Sequence, residues 1–266
     1  PVGKLSCIFK VYDDCRQDAL AIQTIQFLKT VFDATGLGLA LFPYRVIPSR
    51  AGAAKAVGGI IEVVPNVQSR DEIGKLGYTT LQDFFLNTFG RPDGTPFECA
   101  RRNLIRSLAA YAVVSYILQI KDRHNGNMLI TSQGHLVHID FGFLLGISPG
   151  GNLGFEDAAF KLTQEMIEVI GGLQSEEFLE FKGLVIRGFL AAREHAEVFE
   201  TMVSGFADSG LPCFQFPTTL EKLHARFLPA SDDLAACREL DGQVSRAANK
   251  YTTRLYDTLQ YVQNNI

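Results

Sequence analysis

Lys121-Asp122-Arg123-His124-Asn125-Gly126-Asn127, followed by His138-Ile139-Asp140-Phe141-Gly142, is the stretch on which the fold turns. Between the two segments, Met128 to Thr131 and His135 to Ile139 are apolar runs separated by Ser132-Gln133-Gly134, which reads as strand, turn, strand. Just upstream, Phe97 to Ile120 repeats apolar residues at helical spacing and is apolar over most of its last half, the pattern of a long buried helix.

Working outward, Leu5 to Val11 reads as a strand, and Asp13 or Asp14 is a candidate cap for a helix whose apolar positions recur from Asp18 to Phe32 and stop before Gly36. Leu39 to Ile47 and Gly59 to Val64 are expected to be strands, interrupted by a small-residue loop from Pro48 to Gly58. Helical patterns follow at Thr80 to Phe89, Glu165 to Ile170, Glu177 to Ala192, Glu194 to Phe206, Leu220 to Phe227 and from Asp232 to the C-terminus. The class is α+β: a small β-rich lobe over residues 1–64, a large mainly helical lobe over residues 65–266, and a hinge at Glu62 to Asn66.

Composition narrows the function classes. In 266 residues the chain carries 25 Lys and Arg against 29 Asp and Glu, a net charge of −4 that excludes the strongly basic field of a nucleic-acid binder. The hydrophobic fraction of 47% supports a large core. The five cysteines, Cys7, Cys15, Cys99, Cys213 and Cys237, form no C-x-x-C pair, so neither a disulfide framework nor a zinc site is expected, and a reducing compartment fits them. The most apolar stretch, Leu108 to Ile120, is 13 residues long, short of the ~20 that a membrane-spanning helix needs. No apolar run with a small-residue cleavage site opens the chain, so it is expected to begin inside a larger protein.

Asp122 and Asn127 are five positions apart, the Asp-to-Asn offset of the protein-kinase catalytic loop, and a D-F-G at Asp140 to Gly142 follows after one hairpin. Either fragment alone is compatible with a polar turn, because Asp, Asn and Gly favour turns. Together and in order they point to phosphoryl transfer, a chemistry of positioning and charge neutralisation. One carboxylate, Asp122, orients the attacking hydroxyl, while the Asn127 amide oxygen and the Asp140 carboxylate hold Mg²⁺.

Asp-Arg-His in place of His-Arg-Asp, I-F-K-V-Y-D-D-C-R-Q-D from Ile8 to Asp18, and H-I-D-F-G-F from His138 to Phe143 resemble the phosphatidylinositol 3-/4-kinase family over essentially the whole chain. F-P-Y-R-V at Phe42 to Val46, S-R-D at Ser69 to Asp71, S-P-G-G-N-L-G-F-E at Ser148 to Glu156, L-P-C-F at Leu211 to Phe214 and Y-D-T-L-Q-Y at Tyr256 to Tyr261 resemble its type III 4-kinases, the alpha type more than the beta. The resemblance implies a two-lobed protein-kinase-like fold and transfer of the ATP γ-phosphate to the 4-hydroxyl of phosphatidylinositol. A phosphatidylinositol 3-kinase, a related Ser/Thr protein kinase and a kinase-like scaffold without activity stand as alternatives.

Roles carry over by resemblance. Lys10 corresponds to the lysine on the nucleotide phosphates and Asp18 to its acidic partner; read locally, Lys10 is also an edge-strand charge. Glu62, Val63 and Val64 correspond to the hinge whose backbone holds adenine, and Tyr44 to a tyrosine lining the inner adenine pocket or plain core. His124 either takes the hydroxyl proton, steadies the migrating phosphoryl group or props the loop, and the base is left between Asp122 and His124 with Asp122 ahead. Arg123 is expected to fix the loop through a carboxylate, and His135 and His138 to pack or hydrogen-bond. The substrate loop after Asp140 carries one basic residue, Lys161, against Glu156 and Asp157, too little charge for a polyphosphorylated headgroup; unphosphorylated phosphatidylinositol is therefore the expected substrate.

Cofactors implied are ATP and Mg²⁺, with Mn²⁺ as a substitute, and partners are the lipid in its membrane and scaffold or regulatory proteins bound through regions outside this chain. A cytoplasmic, peripheral location on the plasma membrane, endoplasmic reticulum or Golgi follows from the same resemblance. The C-terminal helix, Tyr251 to Asn265, is expected to meet the membrane or to pack on the helical lobe. No G-x-G-x-x-G precedes Lys10, and only nine residues do, so the small lobe is expected to be incomplete; the Pro48 to Gly58 loop is longer than the family leads one to expect.

Overall fold

A computed structural model describes residues 5–51, 56–149, 158–215 and 217–249. It mixes helices with two small sheets. Strand β1 (Cys7–Val11) leads into helix α1 (Arg16–Thr35), then β2 (Val46–Ala51), β3 (Ala56–Glu62), β4 (Val67–Ser69), α2 (Arg70–Lys75), α3 (Leu81–Phe89) and α4 (Thr95–Leu118). A short 3₁₀ turn, Asn125–Asn127, precedes β5 (Met128–Thr131) and β6 (Leu136–His138); α5 (Gln164–Val169), α6 (Glu176–Arg193), α7 (Ala196–Ser204), α8 (Thr219–Arg226) and α9 (Asp233–Ala248) complete the described chain.

Both sheets are antiparallel, with strand orders β1-β3-β2 and β4-β5-β6. The first places Lys10 opposite Gly59 and the second places Met128 opposite His138. Gly59 permits close contact with the start of α1, since a Cβ there would stand 2.9 Å from Cys15 Sγ.

Most helix ends carry the signals expected of them. Thr80 and Ser69 form capping boxes with Asp83 and Glu72, Ser175 and Asp232 cap α6 and α9, and Gly36 closes α1 in the left-handed conformation. Helix α4 is buried almost all round from Leu104 to Leu118 and packs against α6, α3, β6 and α8. Its apolar residues join those of α1, α6 and α9 in one buried cluster.

Several expectations are corrected. Residues 39–45 do not form a strand: Leu39, Leu41 and Tyr44 are buried, but Ala40 donates to the carbonyl of Arg106 and Phe42 to the hydroxyl of Tyr111, so the segment lies along α4 without a strand partner. The expected Pro48 to Gly58 loop is largely two paired strands, with Pro48 opposite Gly59. Proline is tolerated because β2 is at a sheet edge, where its missing N–H breaks no ladder. The residue preceding α1 is Cys15; Asp14 accepts the Arg16 N–H at 3.1 Å, and Asp13 pairs with Lys10 instead. Strand β4 and helix α2 had no sequence-based expectation, although Ser69-Arg-Asp-Glu72 spells the capping box. The Gly150 to Asp157 stretch and the helix proposed at Tyr251 to Asn265 lie outside the described residues.

Candidate active site

Helix α4 ends on Gln119 in the left-handed conformation, and the chain then runs extended beside the residues that follow D-F-G: Lys121 N–H donates to the Phe143 carbonyl at 2.9 Å and Leu145 N–H to the Leu118 carbonyl at 2.7 Å. These two segments, far apart in sequence, therefore form one unit. Asp122 and Asp140 both adopt positive φ, 62° and 60°. A short polar side chain tolerates that region at a strain on the order of 1 kcal/mol.

Arg123 joins the unit from inside. It is 2% exposed, and its guanidinium donates to the carbonyls of Lys121 (3.1 Å), Ile139 (2.6 Å) and Asp140, with its plane 5.4 Å from the Phe141 ring centroid. A carboxylate was the expected partner of Arg123; its described hydrogen bonds go to backbone carbonyls.

Asn127 and His124 set the loop's inner geometry. The Asn127 amide nitrogen donates to the Asp122 carbonyl at 3.1 Å, and its amide oxygen accepts none of the described hydrogen bonds. His124 caps the 3₁₀ turn: its Nδ1 accepts the Gly126 N–H at 3.0 Å, so the neutral ring carries its proton on Nε2. Asp71 approaches the same face of Gly126 as His124, its Oδ2 3.1 Å from the point a Cβ would occupy.

Asp18, in the first turn of α1, is buried and accepts the Phe141 N–H at 2.8 Å. Burial first, then the nearby charges of Asp140 and Asp13, raise its pKa against the opposing Phe141 N–H and Lys10 charge. Lys10 pairs with Asp13 at 2.8 Å, not with Asp18. Its burial favours the neutral amine, but the Asp13 hydrogen bond and the fields of Asp13, Asp140 and Asp18 outweigh this and raise its pKa. Lys10, Asp18 and Asp140 thus share one electrostatic neighbourhood although no direct Lys10–Asp18 bridge forms.

Sequence reading missed Gln17, whose only signal was its place beside Asp18 in the R-Q-D run. It is buried, donates through Nε2 to the carbonyls of Phe141 (3.3 Å) and Gly142, and accepts the Cys213 N–H at 3.3 Å.

Of the hinge residues, Val63 N–H donates to the Ser6 carbonyl at 2.9 Å, Glu62 Oε2 accepts the Arg45 N–H at 2.9 Å, and Val64 N–H donates to none of the described residues. Tyr44 is buried close to Asp18 and the Asp140 backbone, and burial first, then the Asp18 charge, raises its pKa. Tyr44 and Glu62 border a cleft of about 810 Å³ along α1; neither Lys10, Asp122, Asn127 nor Asp140 lines it, so this cleft is not the phosphate site.

His138 is fully enclosed, stacked on Tyr111 at 4.6 Å, and its Nδ1 has no hydrogen-bond partner. Burial, then the charges of Arg123 and Lys161, lower its pKa well below the ordinary value. His135 packs edge-on against Phe42 at 5.0 Å. Lys161 is itself buried at 8% exposure rather than held out on a loop.

Two backbone-clamped loops thus carry Asp122, Asn127 and Asp140, with Lys10 in the electrostatic neighbourhood of Asp140. The family model for phosphatidylinositol 3- and 4-kinases matches residues 4–216, and the chain belongs to that family. It is 46% identical over 98% of its length to phosphatidylinositol 4-kinase alpha 1 of Arabidopsis thaliana, 43% over 98% to phosphatidylinositol 4-kinase STT4 of Saccharomyces cerevisiae, and 42% over 98% to phosphatidylinositol 4-kinase beta 2 of Arabidopsis thaliana. The chain spans 13%, 14% and 23% of the lengths of these three relatives.

Proposed function

We propose that this chain is the catalytic region of a lipid kinase that transfers the γ-phosphoryl group of ATP to the 4-hydroxyl of phosphatidylinositol. The observation that supports the reading is the Arg123 clamp, which ties the Lys121 carbonyl to the Ile139 and Asp140 carbonyls, while Asn127 donates to the Asp122 carbonyl. The choice of lipid and of ring position rests on relatives that are named phosphatidylinositol 4-kinases.

In this reading residues 1–64 and 65–266 are the two lobes of a protein-kinase-like fold, with the nucleotide between them. Val64 N–H, left without a described partner, is the hinge donor available to adenine, and Lys10 meets the phosphates by exchanging Asp13 for them. The Asn127 amide oxygen and the Asp140 carboxylate, both hard oxygen donors, fit a divalent cation that takes its remaining ligands from phosphates and water. Mg²⁺, or Mn²⁺ in its place, supplies charge neutralisation there when bound. Asp122 is the base: His124 presents an N–H rather than a lone pair at Nε2, which suits it to steady the migrating phosphoryl group.

No helix among the described residues is long and apolar enough to cross a membrane. A lipid substrate then calls for peripheral contact with a bilayer.

The test is radiolabel transfer from ATP to phosphatidylinositol by the full-length protein, with the ring position mapped by chromatography. We expect phosphatidylinositol 4-phosphate from the wild type and a rate at least about a thousandfold lower from Asp140→Ala. Labelling of a peptide in place of lipid, or a 3-phosphate product, overturns the reading.

A further inference from the structure

The D-F-G backbone is held at consecutive peptide planes. In the plane between Asp140 and Phe141, the carbonyl is bound by Arg123 and the N–H by Asp18. In the next plane, the Phe141 carbonyl is bound by Gln17 Nε2, which also reaches the Gly142 carbonyl of the plane after that. A trans peptide directs its N–H opposite to its C=O. Drawing the Phe141 carbonyl toward Gln17 therefore turns the Gly142 N–H the other way, where it meets Asp140 Oδ1 at 3.4 Å.

Gln17 is in turn held from behind. Its Oε1 accepts the Cys213 N–H in the 3₁₀ turn Pro212–Phe214, and the Cys213 carbonyl accepts the hydroxyl of Thr219, the first residue of α8, at 2.9 Å. Gln17, Asp18, Phe141, Cys213 and Thr219 are buried, so the bonds among them stand in place of ones that water does not supply. A primary amide meets both demands at once, because its NH₂ faces two carbonyls while its oxygen faces an N–H.

We propose that Gln17 is a positioning residue for phosphoryl transfer: it fixes the peptide planes after Asp140, aims that carboxylate through the Gly142 N–H, and couples the D-F-G segment to the 3₁₀ turn and α8. The inference rests on the function proposed above for its catalytic consequence. Its structural half stands on hydrogen bonding alone.

The experiment uses the full-length protein with Gln17→Met, Gln17→Glu and Thr219→Val. Hydrogen exchange at the amides of Phe141 to Phe143, measured without nucleotide or metal, is expected to quicken about tenfold in Gln17→Met, in line with losing one to two buried hydrogen bonds. Its kcat is expected to fall about tenfold or more, with KM for phosphatidylinositol unchanged. Gln17→Glu, which keeps the shape, is expected to recover rate as pH falls and its carboxyl regains a proton to donate. Thr219→Val, at the far end, is expected to move exchange and kcat in the same direction by about twofold to threefold, and decides the matter if the Gln17 variants do not fold. Wild-type exchange at Phe141 to Phe143 in any variant that folds, or a rise in exchange spread evenly over the chain with KM and kcat altered together, overturns the proposal. A wild type that labels no lipid would sink the proposed function, leaving the exchange data to judge Gln17.

Discussion

The two sheets are alike in strand number and antiparallel direction and opposite in circumstance. In β1-β3-β2, the side chains of Ile8, Phe9 and Val11 are 51%, 70% and 67% exposed, whereas every residue of β6 is buried. Lys10 comes from the exposed sheet; the catalytic loop and D-F-G leave the two ends of the buried β5-β6 hairpin. The difference teaches that the acidic half of the site is held by the core, while the lysine is held by a strand with little beneath it.

The comparison can be broken at its strongest point with Arg123→Ala, which leaves the carbonyls of Lys121, Ile139 and Asp140 without their described donor. We expect a loss of about 3–5 kcal/mol in denaturant unfolding. Leu136→Ala in β6, fully buried, should lose about 2–4 kcal/mol by the same measurement. A loss under about 1 kcal/mol would show that the second sheet is not part of the core.

The pH dependence sharpens the contrast further. His138 has a folded pKa well below its unfolded one, so the unfolded chain takes up the proton first. Stability from this group is full above the unfolded value and falls as pH drops below it, by up to about 1.4 kcal/mol per pH unit. His138→Gln should flatten that slope. The smallest effect belongs to the exposed sheet: Phe9→Ala should change stability by no more than about 0.5 kcal/mol.

Much of this was legible in the residues. The helices from α3 to α9 were expected from apolar spacing, and the loops that carry Asp122, Asn127 and Asp140 were singled out by order and offset. What escaped has physical causes. Leu39, Leu41 and Tyr44 are buried in a segment that lies along α4, and an apolar run alone does not reveal whether a partner strand exists. Pro48 suggested a loop, yet an edge strand has one side that needs no N–H. The hydrogen bonds of Gln17 and Asp18 to Phe141 span 124 and 123 positions, a pairing that no local pattern encodes. Lys10 was matched to Asp18, but Asp13, three residues away, is the nearer partner in the described structure.

The left-handed backbone at Asp122 and Asp140 has a consequence for how such a site decays. Glycine and asparagine sit in that conformation at least as comfortably as aspartate. Asp140→Gly therefore removes the carboxylate and relaxes the main chain together, so under the function proposed above the substitution that silences the chemistry is nearly neutral or favourable for folding. Retaining an acid at both positions sets activity against stability, and a silent descendant of this protein would be expected to survive as a sound, well-folded molecule.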